Sequence, residues 1–434
     1  MSAATLKYRD QIPIALLFLS IPWLMIESLL LVNAYESDIL LILLSLQAIK
    51  YSLLLIPPIY WILSYGIDWR WFKFFLMLLA LIFAYSTLSF VQGIETKSII
   101  NSIKNVYFWP LYFLLIVSAK FSFRRQTLSV LLWTTTIFSL INIVYSIFIN
   151  YSFSNVDQFY FYNLYNSKNI FNEWDFIRDG EVRAFGFMGS PLTLSQTLII
   201  ALCFSFSGIT RTTSIENILY FFILFLIILF GIYLTRTRNP VVGVFCALFL
   251  MYSGRTFRLS RRSVFFLFFA IYIAVILLVF EMSRRGLGDL SSQARAPMLI
   301  AFFNLIYQNP FGYGIGSTGV SLPSYAYFFE SSAATVFMDL GIVGGLIFWG
   351  IIFKALLLIW GESRIKHKAA WMKRAVFLSL AALLFITNFS NIFDSSLLIF
   401  SILSAAAVKT ISPRSSAAQS LRSWHVFSGS SRSL

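Results

Sequence analysis

"ENILYFFILFLIILFGIYLTRTRNP", residues 216–240, runs from Ile218 to Leu234 without a charge and then places two arginines and a proline within six residues. A helix rises about 1.5 Å per residue and a bilayer's hydrocarbon core is about 30 Å thick, so one such run makes one crossing. Similar runs recur along the chain. Spans are expected at about 12–33, 39–64, 71–91, 105–119, 127–150, 190–209, 216–235, 240–254, 263–281, 333–360, 375–391 and 394–410. The composition agrees: of 434 residues 59% are hydrophobic and 12% charged, where soluble domains carry about a quarter charged. The fold class read from this is all-α and polytopic, with about 12 transmembrane helices and two large outer loops, one of them carrying an interfacial helix.

Charge sets the expected orientation. With both termini on one side, that side's segments hold 21 of the 33 basic residues, against 10 on the other side and two, Lys50 and Lys354, within spans. By the positive-inside rule the termini are cytoplasmic. The formal charge of +15 is therefore topological, and nucleic acid is not an expected partner. Cys203 and Cys246 both fall inside spans, so no disulfide framework is expected. The first span lacks a small-residue cleavage site and reads as a retained anchor. Residues 1–410 form a single transmembrane domain on this reading, and 411–434 a Ser-rich, unpatterned cytoplasmic tail.

Two connections are long, about 151–189 and 282–332, and both fall outside. Long loops in compact proteins tend to be functional, and these are rich in Tyr, Phe and Trp. In the second, "SSQARAPMLIAFFNLIYQNP" reads as a short helix capped by Ser291 or Ser292 and ended by Asn309-Pro310. Met298, Leu299, Phe302, Leu305 and Ile306 recur on one of its sides, as in a helix lying at the membrane interface. A turn with Gly312, Gly314 and Gly316 follows, then Tyr325, Tyr327 and Glu330. A tight turn is the plain reading of those glycines; a turn whose amides also meet a ligand is the functional one.

The outer arginines run against the charge rule and are informative for that reason. Arg236 and Arg238 stand where the seventh span meets the surface, Arg183 precedes the sixth, and Arg284, Arg285 and Arg295 sit in the second long loop. A guanidinium is a rigid fork suited to phosphate oxygens, so several around one pocket would receive a lipid diphosphate. Each taken singly is also explained by snorkelling to headgroups. Glu330 stands at the aqueous mouth of the next span, placed to take a proton. Asp339, nine residues on, falls on the opposite face of a continuous helix and reads as a buried supporting carboxylate that needs hydrogen bonds. Glu173, Asp175 and Asp179 in "NEWDFIRD" read as a solvated acidic loop rather than a cation site. There is no His/Cys cluster for zinc, no Walker A loop and no G-x-S-x-G sequence.

Four segments in order, "RAFGFMGSPLTLSQTL", "YLTRTRNPVVGV", "QARAPMLIAFFNLIYQNPFGYGIG" and "FFESSAATVFMDLGIVGG", resemble the O-antigen polymerase and ligase family over roughly residues 180–350. The resemblance implies a bacterial inner-membrane glycosyltransferase acting on polyprenyl-diphosphate-linked oligosaccharides among membrane lipids, with no cofactor and no metal. It also implies a flippase and a chain-length regulator as partners. Carried over residue by residue, Glu330 and Arg236 are catalytic, Arg183, Arg238, Arg295, Tyr325 and Tyr327 hold the diphosphate and sugars, and Asp339 supports them. In ligases a histidine typically stands where Glu330 stands here. That departure favours a polymerase of O-antigen, capsule or exopolysaccharide repeat units over a ligase acting on lipid A core. A lipid-linked oligosaccharide transporter is the alternative from another class, but it would show matched halves, and none are visible.

Overall fold

A computed structural model describes residues 10–36, 40–152, 177–178, 181–188, 190–285, 295–317, 331–364, 369–386 and 394–410. Its helices are α1 Gln11–Glu36, α2 Leu40–Tyr65, α3 Trp69–Val91, α4 Thr96–Ser118, α5 Arg125–Ser152, α6 Pro191–Ile209 and α7 Ile215–Leu234. They continue as α8 Asn239–Thr256, α9 Arg261–Arg284, α10 Arg295–Gln308, α11 Ser332–Ser363, α12 Ala370–Ile386 and α13 Asp394–Lys409. Residues Ile103–Tyr107 of α4 are π-helical. A two-residue antiparallel pair, β1 Ile177–Arg178 and β2 Glu181–Val182, precedes α6.

The expected spans overlap these helices, with 39 and 387–391 outside the described residues. Among the described residues, eight helices are long and apolar enough to cross a membrane, in α2 to α7, α9 and α11. The chain is accordingly a helical transmembrane protein. Its layers follow side-chain size and polarity. In α6, 83% of the spanning window is buried, against 12% in α9. The central α6 and α12 are built largely from Ser, Thr, Ala and Leu, which let backbones approach. The peripheral α7 and α9 turn Phe, Ile and Leu outward, including Phe230, Tyr233, Phe266 and Leu277.

Hydrogen bonds and ion pairs tie one end of the bundle together. Tyr65 at the end of α2 donates to Asp10 at 2.5 Å. The Lys409 ammonium lies 3.4 Å from Asp68 and donates to the Ala119 carbonyl at 2.8 Å. Lys373 pairs with Glu362 and donates to the Thr410 carbonyl at 3.0 Å. Arg374 reaches Thr210 at 3.1 Å, and Arg364 the Leu259 carbonyl at 2.6 Å. Every one of these segments belongs to the side to which the charge count gave 21 basic residues. Repulsion among those cations is relieved by the two acids paired with them, Asp68 and Glu362.

Asp68 is the acid most enclosed by this arrangement. Burial pushes its pKa up, but the hydrogen bond from Arg70 and the charges of Lys409 and Arg70 outweigh that and hold it below the ordinary value. A carboxyl depressed in the fold contributes stability that is present above its unfolded pKa and lost as pH falls through its folded one. The thermal midpoint of the detergent-solubilised protein is therefore expected to fall on acidification below about pH 5. Asp68→Asn should fall less over the same interval; parallel pH curves for parent and variant would refute the assignment.

Candidate functional site

At the opposite end, the strand leading into α6 lies against the end of α7, with the Ala184 amide donating to the Leu234 carbonyl at 3.0 Å. That contact buries Arg183, which is 6% exposed. Its Nε donates to the Thr235 carbonyl at 2.9 Å and an Nη to Thr237 Oγ1 at 3.0 Å. Thr237 Oγ1 in turn donates to the Thr235 carbonyl at 3.1 Å. Arg236 is held between these two clamped threonines with φ of +49°, a left-handed conformation at the position after a helix where glycine is usual. Arg258 closes α8 with the same φ, so the angle alone marks nothing. What sets Arg236 apart is the buried guanidinium gripping the residue on either side of it. Arg238, at the next turn, is exposed. Thus two segments 52 residues apart in sequence are joined, and Arg183 is itself part of the support.

The loop after Arg183 is fastened from the other side. Phe187 donates its amide to Asn142 Oδ1 at 2.7 Å, and its ring stacks on Tyr145 with centroids 4.0 Å apart. Asn142 sits on a buried polar face of α5 with Thr135, Ser139 and Ser146.

The glycine turn has an architectural partner that sequence reading did not foresee. α11 breaks at Gly341, with φ +67° and ψ −178°, and the 309–317 turn fills the break. Ile342 donates to the Pro310 carbonyl at 2.9 Å, Tyr313 to the Met338 carbonyl at 2.8 Å, and Gly314 to the Asp339 carbonyl at 3.1 Å. A Cβ on Gly312 would lie 2.3 Å from the Gly341 amide nitrogen, so the two backbones meet where no side chain fits. Gly314 and Gly316 approach Ser89 and Ser98, joining the turn to α3 and α4. The amides of Gly312, Tyr313 and Gly314 all serve protein carbonyls. Met298, Phe302, Leu305 and Ile306 of α10 pack with Met338 and Phe337 of α11, while Phe303 and Tyr307 face outward.

Asp339, directly above the break, is fully buried. Tyr107 donates to its Oδ2 at 2.9 Å and Ser317 to its Oδ1 at 3.3 Å. Tyr107 is the last residue of the π-helical turn of α4, a distortion that often occurs at functional sites. The carboxylate therefore ties α4, the glycine turn and α11 at one point, the hydrogen-bonded role the sequence suggested. Tyr107 was not visible as its partner, being one tyrosine in an apolar span.

Glu330, Tyr325, Tyr327, Glu173, Asp175 and Asp179 lie outside the described residues, as do Ser291 and Ser292. Arg295 opens α10, and its side chain is outside the description too. Arg284 and Arg285 bind Glu281 of their own helix, at 3.0 and 2.7 Å, and so form a local group. Ser331, which follows Glu330, caps α11 by accepting from the Ala334 amide at 3.2 Å. Next to it, Val106, Trp109, Ser332, Val336, Phe348, Trp349 and Leu397 line a narrow apolar crevice. Ser396 donates to Gln196 at 2.9 Å, which links that crevice through α13 to the opening turns of α6 beyond Arg183.

The fold defines a transmembrane helical protein with the Arg183 clamp on one helix pair and, on another, a glycine turn bonded beside the buried Asp339. No protein-family model matches the chain, and comparison with curated proteins finds no match.

Proposed function

We propose that the protein polymerises polyprenyl-diphosphate-linked oligosaccharide repeat units into O-antigen, capsule or exopolysaccharide on the outer face of a bacterial inner membrane. The observation that carries this reading is the Arg183 clamp, which fixes Arg236 in a conformation other than the relaxed one. A left-handed non-glycine residue costs about 1–2 kcal/mol, so its surroundings must impose it. A guanidinium fixed in this way suits a charge that develops during reaction.

In the proposed reaction the growing glycan on its lipid diphosphate is the donor. A hydroxyl of the incoming lipid-linked unit attacks the donor's anomeric carbon, forming the new glycosidic bond as the carbon–oxygen bond to the diphosphate breaks with inversion. Glu330 takes the hydroxyl proton. Arg236 and Arg238 stabilise the departing diphosphate, with Arg183 holding their turn and Arg295 joining them from α10. Tyr325 and Tyr327 stack on and hydrogen-bond to sugars. Asp339 and Tyr107 anchor the turn from which the 318–330 segment departs. The diphosphate carries the driving force, so no nucleotide is required. Both termini are cytoplasmic on this reading, and a flippase and a chain-length regulator are its partners.

Purified protein given lipid-linked repeat units should produce a glycan ladder. Glu330→Gln is expected to slow it by about 10²-fold or more. Arg236→Gly should slow it by about 10²–10³-fold, yet leave the thermal midpoint equal or higher, because glycine relieves the left-handed backbone. Full ladders from both variants would overturn the site. Transfer of finished glycan to lipid A core would overturn the polymerase reading in favour of a ligase.

A further inference from the structure

At the basic end two lysines bring their ammonium groups to one aromatic ring. Lys354, on the membrane-crossing part of α11, sends its ammonium to the start of α3, 3.9 Å from the ring centroid of Phe74 and 5.0 Å from that of Trp71. Lys73 brings a second ammonium to 5.5 Å from the same Phe74 centroid. The two are close enough to interact electrostatically. Both lysines are exposed, and neither has a carboxylate partner among the described residues. Two like charges gathered at one ring repel, and an aromatic face offsets only part of that. A counter-ion between them would remove the repulsion.

The surroundings specify the counter-ion. Trp71, Lys73 and Phe74 fall within the first six residues of α3, about 8 Å of helix, so the ammonium groups lie at headgroup depth rather than mid-membrane. Trp69 at the helix start is 64% exposed, as tryptophans at a membrane interface are. Further along α3, Leu76, Met77, Leu79 and Phe83 are exposed apolar side chains. A headgroup phosphate at the lysines thus has a surface for its acyl chains directly beside it. The Lys354 stem reaches out of the span toward this layer, which is snorkelling toward a particular place.

We propose that Lys73 and Lys354, with Trp71 and Phe74, form a binding site for the phosphate of an anionic phospholipid. The site is separate from the arginine turn and does not rest on the glycosyltransferase reading. The test uses the full chain in neutral detergent, with retained lipid counted by native mass spectrometry. Phosphatidylglycerol should bind more tightly than phosphatidylcholine. Lys73→Gln and Lys354→Gln should each weaken phosphatidylglycerol by about fivefold, while Lys354→Arg and, as a control at the same end, Lys120→Gln keep parental affinity. Unchanged binding in the Lys73→Gln/Lys354→Gln double variant would overturn the proposal. So would inorganic phosphate displacing the lipid at equal concentration, which would show a simple anion site.

Discussion

Gly341→Ala is expected to leave little folded protein. The residue's φ of +67° and ψ of −178° lie in a region that is essentially reserved for glycine, at about 1–3 kcal/mol for other residues. A Cβ there would also lie 2.4 Å from the Phe311 carbonyl carbon and 2.5 to 2.6 Å from the Phe311 and Pro310 oxygens. Those are backbone atoms of a turn hydrogen-bonded on both sides of the break, so they have nowhere to retreat, and overpacking adds about 1–3 kcal/mol. The sum, on the order of 4 kcal/mol, is a large share of a typical folding free energy. Gly350→Ala on the same helix is the control, since its added Cβ meets nothing within 4 Å. The yield of monodisperse protein and its thermal midpoint decide the matter; a Gly341→Ala variant indistinguishable from Gly350→Ala would show that the break is not required.

Arg183→Met should loosen the 235–238 turn and destabilise the protein by about 3 kcal/mol. The variant keeps the aliphatic bulk but removes two donors from the Thr235 carbonyl and Thr237 hydroxyl, leaving buried acceptors without these partners. Lysine should not rescue it, because one ammonium cannot reproduce the fork that spans both. Trypsin offers a direct readout: cleavage after Arg236 or Arg238 should become faster in the variant than in the parent. Equal cleavage rates would mean that Arg183 does not hold the turn, and Arg236 would lose the support argued for it.

Sequence alone located apolar helices because an apolar run is a local property, and eight of the described helices are long and apolar enough to cross a membrane. It placed the arginine segments and the glycine turn at one end for the same reason, through charge and parity. The pairings were not legible. Nothing local distinguishes Gly341 from Gly344 or Gly345 as the breaking point, since the break is set by the Pro310 carbonyl and Tyr313 amide arriving from another segment. Arg183 read as a ligand-facing cation, whereas two of its donors turn inward to Thr235 and Thr237. Tyr107 became visible only when the π-helical turn and Asp339 were seen together.

The bonded basic end governs how the molecule can move. Tyr65 to Asp10, Lys409 to Asp68 and Ala119, Lys373 to Glu362, Arg374 to Thr210 and Arg364 to Leu259 join the feet of the helices, so a tilting helix pivots there. α11 extends about 33 Å from Ser363 to Gly341 at the usual rise. A tilt of about 5° about that foot carries the far tip through about 3 Å, by the lever arm of the same rise. Any tilt about that foot is thus felt most at Gly341, where the bonds from Ile342 to Pro310 and from Tyr313 to Met338 restrain it.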